Sequence, residues 1–275
     1  MRRWTTLLYG IAGYVLFLGV FLYLVGFIGG CELAGFATPT ALDGPRTTGL
    51  GRALVVDGLL VALFAVQHSV MARPRFKAWL TRYVPHAAER STYVLATNAA
   101  LMAMFLWWEP LGGRVWSVEH EAARAVIWCL YAAGWATVLV TTFLINHFDL
   151  FGLRQVWLEF RGREYTALPF VTPGPYRFIR HPLYVGWLLV FWSAPTMTAS
   201  HLAFALGMTV YILIAIVFEE RDLVRFHPGY AEYRRKVPMF VPRLARAGDA
   251  ETSGAGAALN PSPLRGEGAS VLRGG

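Results

Sequence analysis

Charge is the scarcest ingredient of this 275-residue chain: Asp, Glu, Lys and Arg make up 15% of it, against about 25% in an average soluble domain. Hydrophobic residues account for 56%, and a composition so apolar excludes an ordinary soluble domain and indicates a membrane protein. Cysteine is nearly absent. Cys31 and Cys129 fall in or beside apolar segments with no CxxC or metal-ligand spacing, which argues against a structural disulfide or a zinc site; no metal is expected. No GxGxxG follows a strand-like run, and Walker A, HExxH and GxSxG motifs are missing. These absences exclude a soluble Rossmann enzyme, a P-loop NTPase, a zincin and a serine hydrolase.

Long apolar runs are what the chain does have, near residues 5–28, 53–71, 92–108, 123–146, 183–195 and 200–218. A bilayer core takes roughly 20 helical residues, so the first, fourth and sixth qualify readily, the third is marginal and the fifth is short. The body of the first run is too long for a cleaved secretory signal and reads as a retained span. "APTMTAS" joins the fifth and sixth runs; with Pro195 breaking the helix, they read as a tight helical hairpin.

The net charge of +8 does not indicate nucleic acid, because the basic residues sit in short loops rather than along one face. Arg2 and Arg3, the cluster from Arg73 to Arg90, that from Arg154 to Arg180, and Arg221 to Lys236 fall on alternate connections, with little on the others. The positive-inside rule then gives six spans with both termini cytoplasmic. The expected fold class is all-α integral membrane, with a cytoplasmic-face catalytic region on the last helical hairpin. Three regions follow: a transmembrane region 1–146, a catalytic region 147–243, and a tail 244–275 whose Gly, Ala, Ser and Pro content indicates disorder.

Two polar stretches flank the hairpin. In "GPYRFIRHPLYVGW", residues 174–187, the Pro173-Gly174-Pro175 turn precedes Pro182, a residue tolerated at the start of a helix. Tyr176, Arg177, Arg180, His181 and Tyr184 thereby gather over a helix N-terminus, which favours an anionic or electron-rich ligand. Snorkelling arginines and an aromatic belt are the alternative. In "VFEERDLVRFHPGYAEYRRKVP", residues 217–238, Glu219 and Glu220 end an apolar run at the wrong end of a helix dipole, a placement that suggests a bound cation. Interface charges offset by Arg221 and Arg225 are the bland alternative. The hairpin returns both glutamates to the membrane face that holds His181 and Tyr184. Together the stretches suit an amino-acid-like cofactor carrying a positive sulfur.

The two stretches together resemble the C-terminal catalytic region of the isoprenylcysteine carboxyl methyltransferase and phospholipid methyltransferase superfamily, integral membrane enzymes that use S-adenosylmethionine. By that resemblance Tyr176, His181, Pro182, Leu183 and Tyr184 line the cofactor pocket, Leu168 to Val171 add backbone contacts, and Glu219, with Glu220, holds the cofactor's amino group. The carboxyl-methylating members carry an arginine one helical turn before the first glutamate. Here that position is Ala215, which argues against a carboxylate acceptor.

A third polar stretch, "INHFDLFGLRQVWLEFRG" at 145–162, places His147, Asp149, Arg154 and Gln155 among aromatics, as an interfacial amphipathic helix also does. With "QHSVMARPRFKAWL" and "ERSTYVL" it looks like the bacterial methanethiol S-methyltransferases, overlapping with NnrU-like membrane proteins. This resemblance implies methylation of a small thiol to dimethyl sulfide, in a bacterial inner membrane, with membrane lipid around the chain and no obligatory protein partner. A methyl transfer needs alignment and exclusion of water rather than a covalent nucleophile. The thiolate is the attacking species, and His147, Arg154 and His181 are the candidates to generate or stabilise it. The rival readings are a methyltransferase for a lipid amine or an isoprenylated cysteine, and a haem-binding redox protein using His68 and His147.

Overall fold

The computed structural model describes residues 2–30, 38–227 and 229–242. Cys31 and the expected tail 244–275 lie outside these residues. Four helices are long and apolar enough to cross a bilayer: α1 (Arg2–Gly29), α2 (Leu50–Met71), α5 (Glu121–Ile145) and α9 (Ala199–Phe226). The other described helices are α3 (Pro74–Leu80), α4 (Glu89–Trp107), α6 (His147–Leu150), α7 (Leu153–Phe160), α8 (Pro182–Trp192) and α10 (Tyr230–Lys236). The outward faces of α2 and α9 bear exposed Leu59, Leu63, Val66, Leu213, Ile214 and Val217. Such a surface is out of place in water and in place against lipid.

The third expected apolar run is α4, 19 residues long. The fifth is α8, whose 11 residues rise only about 16 Å, roughly half of a hydrocarbon core. It packs closely on α5. A Cβ on Gly134 would lie 2.9 Å from the Val190 nitrogen and 3.0 Å from the Gly186 oxygen, and one on Gly186 would lie 3.0 Å from the Gly134 oxygen. Two glycines therefore let two backbones touch, as small residues do between helices in membranes.

The α8–α9 connection departs from the expected near-loopless turn. Thr196–Thr198 forms β2, which pairs antiparallel with β1 (Arg114–Ser117) in the register Trp116↔Met197 and Ser117↔Thr196, with an irregularity between Arg114 and Trp116. This small ladder satisfies backbone groups that Pro195 prevents from continuing a helix. Asp43 caps the same end, accepting from Thr198 Oγ1 and lying 3.2 Å from His201 Nδ1.

The opposite end gathers the polar stretches. Trp4 packs edge-on against Phe160 at 4.5 Å, Arg73 pairs with Asp222 at 2.7 Å, and Arg180 pairs with Glu220 at 2.7 Å. The start of α1, the segment after α2, the segment 147–181 and the end of α9 thus share one face. Between the two ends the helices surround an apolar core that includes Leu24, Phe27, Phe64, Met104, Trp135 and Ile212.

Candidate active site

The site begins with a turn. Pro173 to Arg177 cannot extend a helix; Gly174 takes φ +52°, and residues 174–177 wind into a single 3₁₀ turn. The chain then turns and bends, so that the Arg180 and His181 backbone N–H groups donate to the Pro238 and Met239 carbonyls at 2.9 and 3.2 Å. Tyr233 Oη donates to the Tyr176 carbonyl at 2.6 Å. The two sequence stretches on either side of the hairpin are thereby zipped together.

Glu220 is the knot of this joint. Its Oε1 accepts from Arg180 Nε at 2.7 Å and His181 Nε2 at 3.0 Å, while Oε2 lies 3.2 Å from Arg234 Nε. The residue is 6% exposed, so its charge is tolerated only because the two arginines and the histidine compensate it. Arg180 Nη1 extends the joint to the Arg234 and Val237 carbonyls at 3.1 and 2.5 Å. Both carboxylate oxygens of Glu220 are therefore committed inside the protein, and His181 Nε2 is committed to Glu220.

Glu219 is placed differently. One residue on, a helix turns by about 100°, and Glu219 faces the α8 side, where Tyr184 Oη donates to its Oε2 at 2.8 Å. Among the described residues no hydrogen bond reaches Oε1 of Glu219. Tyr176 stands near enough that burial, with the Glu219 carboxylate adding, pushes its phenol above the ordinary range. Glu219, Tyr184 and Tyr176 thus form an open acidic corner beside the closed Glu220 joint. Pro182 begins α8 in the buried shell. Leu168 and Val171 sit on an extended, exposed segment between α7 and the turn, and that segment is anchored by Phe170 against the rings of Tyr230 and Tyr233 at 5.6 and 5.7 Å.

Behind the corner lies a cavity of about 300 Å³ enclosed by α1, α2, α4, α5, α8 and α9. Its walls are predominantly apolar, including Phe17, Phe21, Leu24, Leu101, Met104 and Met208. Part of its polar lining is a cluster of His68, Arg90, Tyr93, Tyr184 and Tyr211, with Thr97, Asn98, Thr142 and His147 also on the wall. Leu183 lines it as well. Tyr184 belongs both to this lining and to the Glu219 corner, so one side chain borders both.

The three candidates for acting on a thiol are distributed unequally. His147 is buried and lines the cavity. Asn146, at φ +133°, breaks α5 and caps the following turn through Asp149 N, which folds His147 back into the bundle. Its Nε2 lies 2.8 Å from Tyr14 Oη and its Nδ1 2.8 Å from Thr142 Oγ1. Both ring nitrogens already have partners, and burial holds the imidazole below its ordinary pKa. Arg154 does not line the cavity: it pairs with Asp149 at 2.8 Å and holds Thr166 at 3.0 Å. His181 is also absent from the lining and belongs to the Glu220 joint.

Arg90 is the residue that the sequence reading passed over. It was counted as a topology signal, yet it borders both the cavity and a surface bowl of about 1080 Å³ that also touches Arg2, Lys77 and Arg163. Its guanidinium lies 5.5 Å from the centre of the Tyr93 ring. A signal existed in "ERSTYVL": an arginine one residue into a marginal span, followed three positions on by tyrosine, places both on one helix face.

Comparison with known proteins agrees with this architecture. Residues 127–227 match the family described as "Phospholipid methyltransferase". The chain is 51% identical over 247 residues to the methanethiol S-methyltransferase of Crocosphaera subtropica, covering 90% of this chain and 95% of that protein. It is 47% identical to the methanethiol S-methyltransferase of Mycobacterium tuberculosis, covering 88% of this chain and 98% of that protein. A more distant similarity, 33% over 179 residues, links it to nurim of Rattus norvegicus, with 62% and 68% covered. No solved structure matches. With four membrane-length helices around a mostly apolar cavity and this extent of identity, the chain belongs to the methanethiol S-methyltransferase family and is a membrane methyltransferase.

Proposed function

We propose that this chain methylates methanethiol to dimethyl sulfide with S-adenosylmethionine as donor. The observation that carries the reading is the juxtaposition of an apolar cavity with the Glu219 corner across a single residue, Tyr184. An apolar thiol suits the cavity, and a cofactor with an ammonium group suits a carboxylate that has one oxygen without a donor among the described residues. The names carried by relatives that share half of its residues point to the same acceptor.

In this reading Glu219 receives the ammonium group, with Tyr176 and Tyr184 beside it, and Pro182, Leu183 and the backbone of Leu168 to Val171 complete the binding face. When bound, S-adenosylmethionine supplies an electrophilic methyl group on a sulfonium, whose S–C bond breaks as the acceptor's forms. Arg90 stabilises the thiolate at the polar cluster of the cavity, a role that a fixed cation performs far better in a water-poor chamber than in solvent. The thiol proton leaves to solvent by way of the surface bowl that Arg90 borders. Glu220, His181 and Arg154 hold the scaffold, and His147 shapes the wall.

The same reading takes α4 and α8 as the fifth and sixth crossings, with both termini and the basic connections on the cytoplasmic side of a bacterial inner membrane, as the positive-inside rule requires. The haem alternative has less support, because His147 spends both ring nitrogens on hydroxyl groups. Expression in a host lacking the activity, with methanethiol supplied and the headspace analysed, tests the proposal. Dimethyl sulfide above the empty-vector level is expected; none, with the protein present in the membrane, refutes it.

A further inference from the structure

The cavity is larger than its proposed acceptor requires. An apolar cavity of ~150 Å³ is enough to hold benzene, whereas this one measures about 300 Å³ and the acceptor named above has two heavy atoms. Its shape is as informative as its size. The lining runs along α4 from Arg90 to Met104, about 20 Å of helix rise. The volume is about twice what benzene needs, so a hydrocarbon tail fits beside the sulfur. Arg90, His68 and Tyr211 line the cavity along with the apolar Met104, Phe204 and Phe191.

The cavity also reaches the outer face of the bundle. Leu18 of α1 and Leu139 of α5 both line it, and they are 41% and 46% exposed. Those exposed surfaces belong to helices that lie against lipid, so an acceptor dissolved in the bilayer meets the cavity wall without crossing water. The combination of a charged group, apolar walls and a lipid-facing side matches a molecule with an ionisable sulfur and a hydrocarbon tail.

We propose that the enzyme accepts unbranched alkanethiols well beyond methanethiol, together with thiols of benzenethiol size, the sulfur held at Arg90 and the tail along α4. This rests on the methyltransferase reading of the same site. The reaction balances as for the small acceptor: one S–C bond forms between the thiolate sulfur and the methyl group, the donor's S–C bond breaks, and the thiol proton leaves to solvent. The products are an alkyl methyl sulfide and S-adenosylhomocysteine.

The test compares methanethiol, 1-butanethiol and benzenethiol with the full chain in vesicles, each thiol's concentration being referred to the aqueous phase and the sulfide products quantified. Each buried methylene lowers KM about fourfold, so KM falls steeply from methanethiol to 1-butanethiol. Narrowing the cavity with Leu101→Trp lowers the ratio of butanethiol to methanethiol kcat/KM by at least about tenfold; Met208→Phe serves the same purpose should the first variant fail to fold. A readout free of turnover is the thermal midpoint of the purified protein without cofactor, raised more by 1-butanethiol than by methanethiol. Methylation of methanethiol alone, or a KM that does not fall with chain length, overturns the acceptor range while leaving the proposed function standing. Absence of product from all three thiols overturns both.

Discussion

Glu219 and Glu220 are adjacent acids with opposite fates, and exchanging each for glutamine separates them. Glu220→Gln keeps the side-chain shape but removes the charge that compensates Arg180. The side chains of Arg180, His181 and Glu220 are 10%, 5% and 8% exposed, so the loss strands a buried cation and costs about 3–5 kcal/mol. Arg234, with half its side chain in solvent, adds little. For a body of this size such a loss lowers the thermal midpoint by about 10 °C. Glu219→Gln removes an acceptor that, among the described residues, holds only the Tyr184 hydroxyl. It leaves the midpoint within about 2 °C but raises the dissociation constant for S-adenosylmethionine about 30-fold, the worth of one charge-assisted hydrogen bond. Differential scanning fluorimetry on the tryptophans and calorimetric titration of the cofactor read the two effects independently. A Glu220→Gln protein with the native midpoint and lost cofactor affinity would overturn the assignment of the two acids.

Arg90→Gln lowers kcat/KM for methanethiol about 100-fold at neutral pH. The same variant keeps most of its activity with methaneselenol, which is already ionised there, and Arg90→Lys recovers part of the thiol activity. An equal loss for thiol and selenol would show that Arg90 does not act on the anion. His147 is held below its ordinary pKa by burial, so between that lowered value and 6.5 the unfolded chain binds more protons than the folded one. Stability therefore rises with pH through this window and falls as pH drops below about 6.5; chemical unfolding at pH 5.5 and 7.5 should show the difference, and His147→Gln should reduce it. Gly134→Ala drives a methyl group into the Val190 and Gly186 backbone, costs about 1–3 kcal/mol, and weakens cofactor binding as well because α8 carries Tyr184.

How far the sequence disclosed this site depended on whether the relevant contact was local. The apolar runs and the arginine bias are properties of single segments, and four of the runs became long apolar helices, three at about the expected limits. The last continues to Phe226, eight residues past the expected end, so Glu219 and Glu220 lie inside α9 rather than at its C-terminus. The two hairpin stretches were visible as motifs, and they do meet. Their division of labour was not visible, because adjacent glutamates differ only in which way the helix points them, and that depends on where α10 docks. The connection "APTMTAS" was misread for the same reason: β2 exists only because Arg114–Ser117, some 80 residues earlier, supplies its partner. Arg90 carried a dual meaning, since a cation at the end of a span fits the topology rule whether or not a cavity lies behind it. The pattern of charges identified its side of the bundle; the packing of six helices was needed to give it a site.

The same packing bears on why a methyl transfer to a small thiol is housed in a bundle of this kind. The proposed cofactor carries charge on its amino-acid end and requires fixed counter-groups, the role proposed for Glu219. The acceptor carries almost no polarity until it ionises, and it concentrates in hydrocarbon. In the proposed reading, a cavity with a polar cluster and walls against lipid lets each reactant approach from the phase that favours it, and the Arg90 cation favours ionisation where the two meet. Tyr184 stands at that boundary, bonded to Glu219 on one side and lining the cavity on the other. Tyr184→Phe, which keeps the wall and deletes the bond, should therefore alter cofactor affinity and leave the order of preference among thiols as it was. A changed thiol order with unchanged cofactor affinity would place the boundary elsewhere.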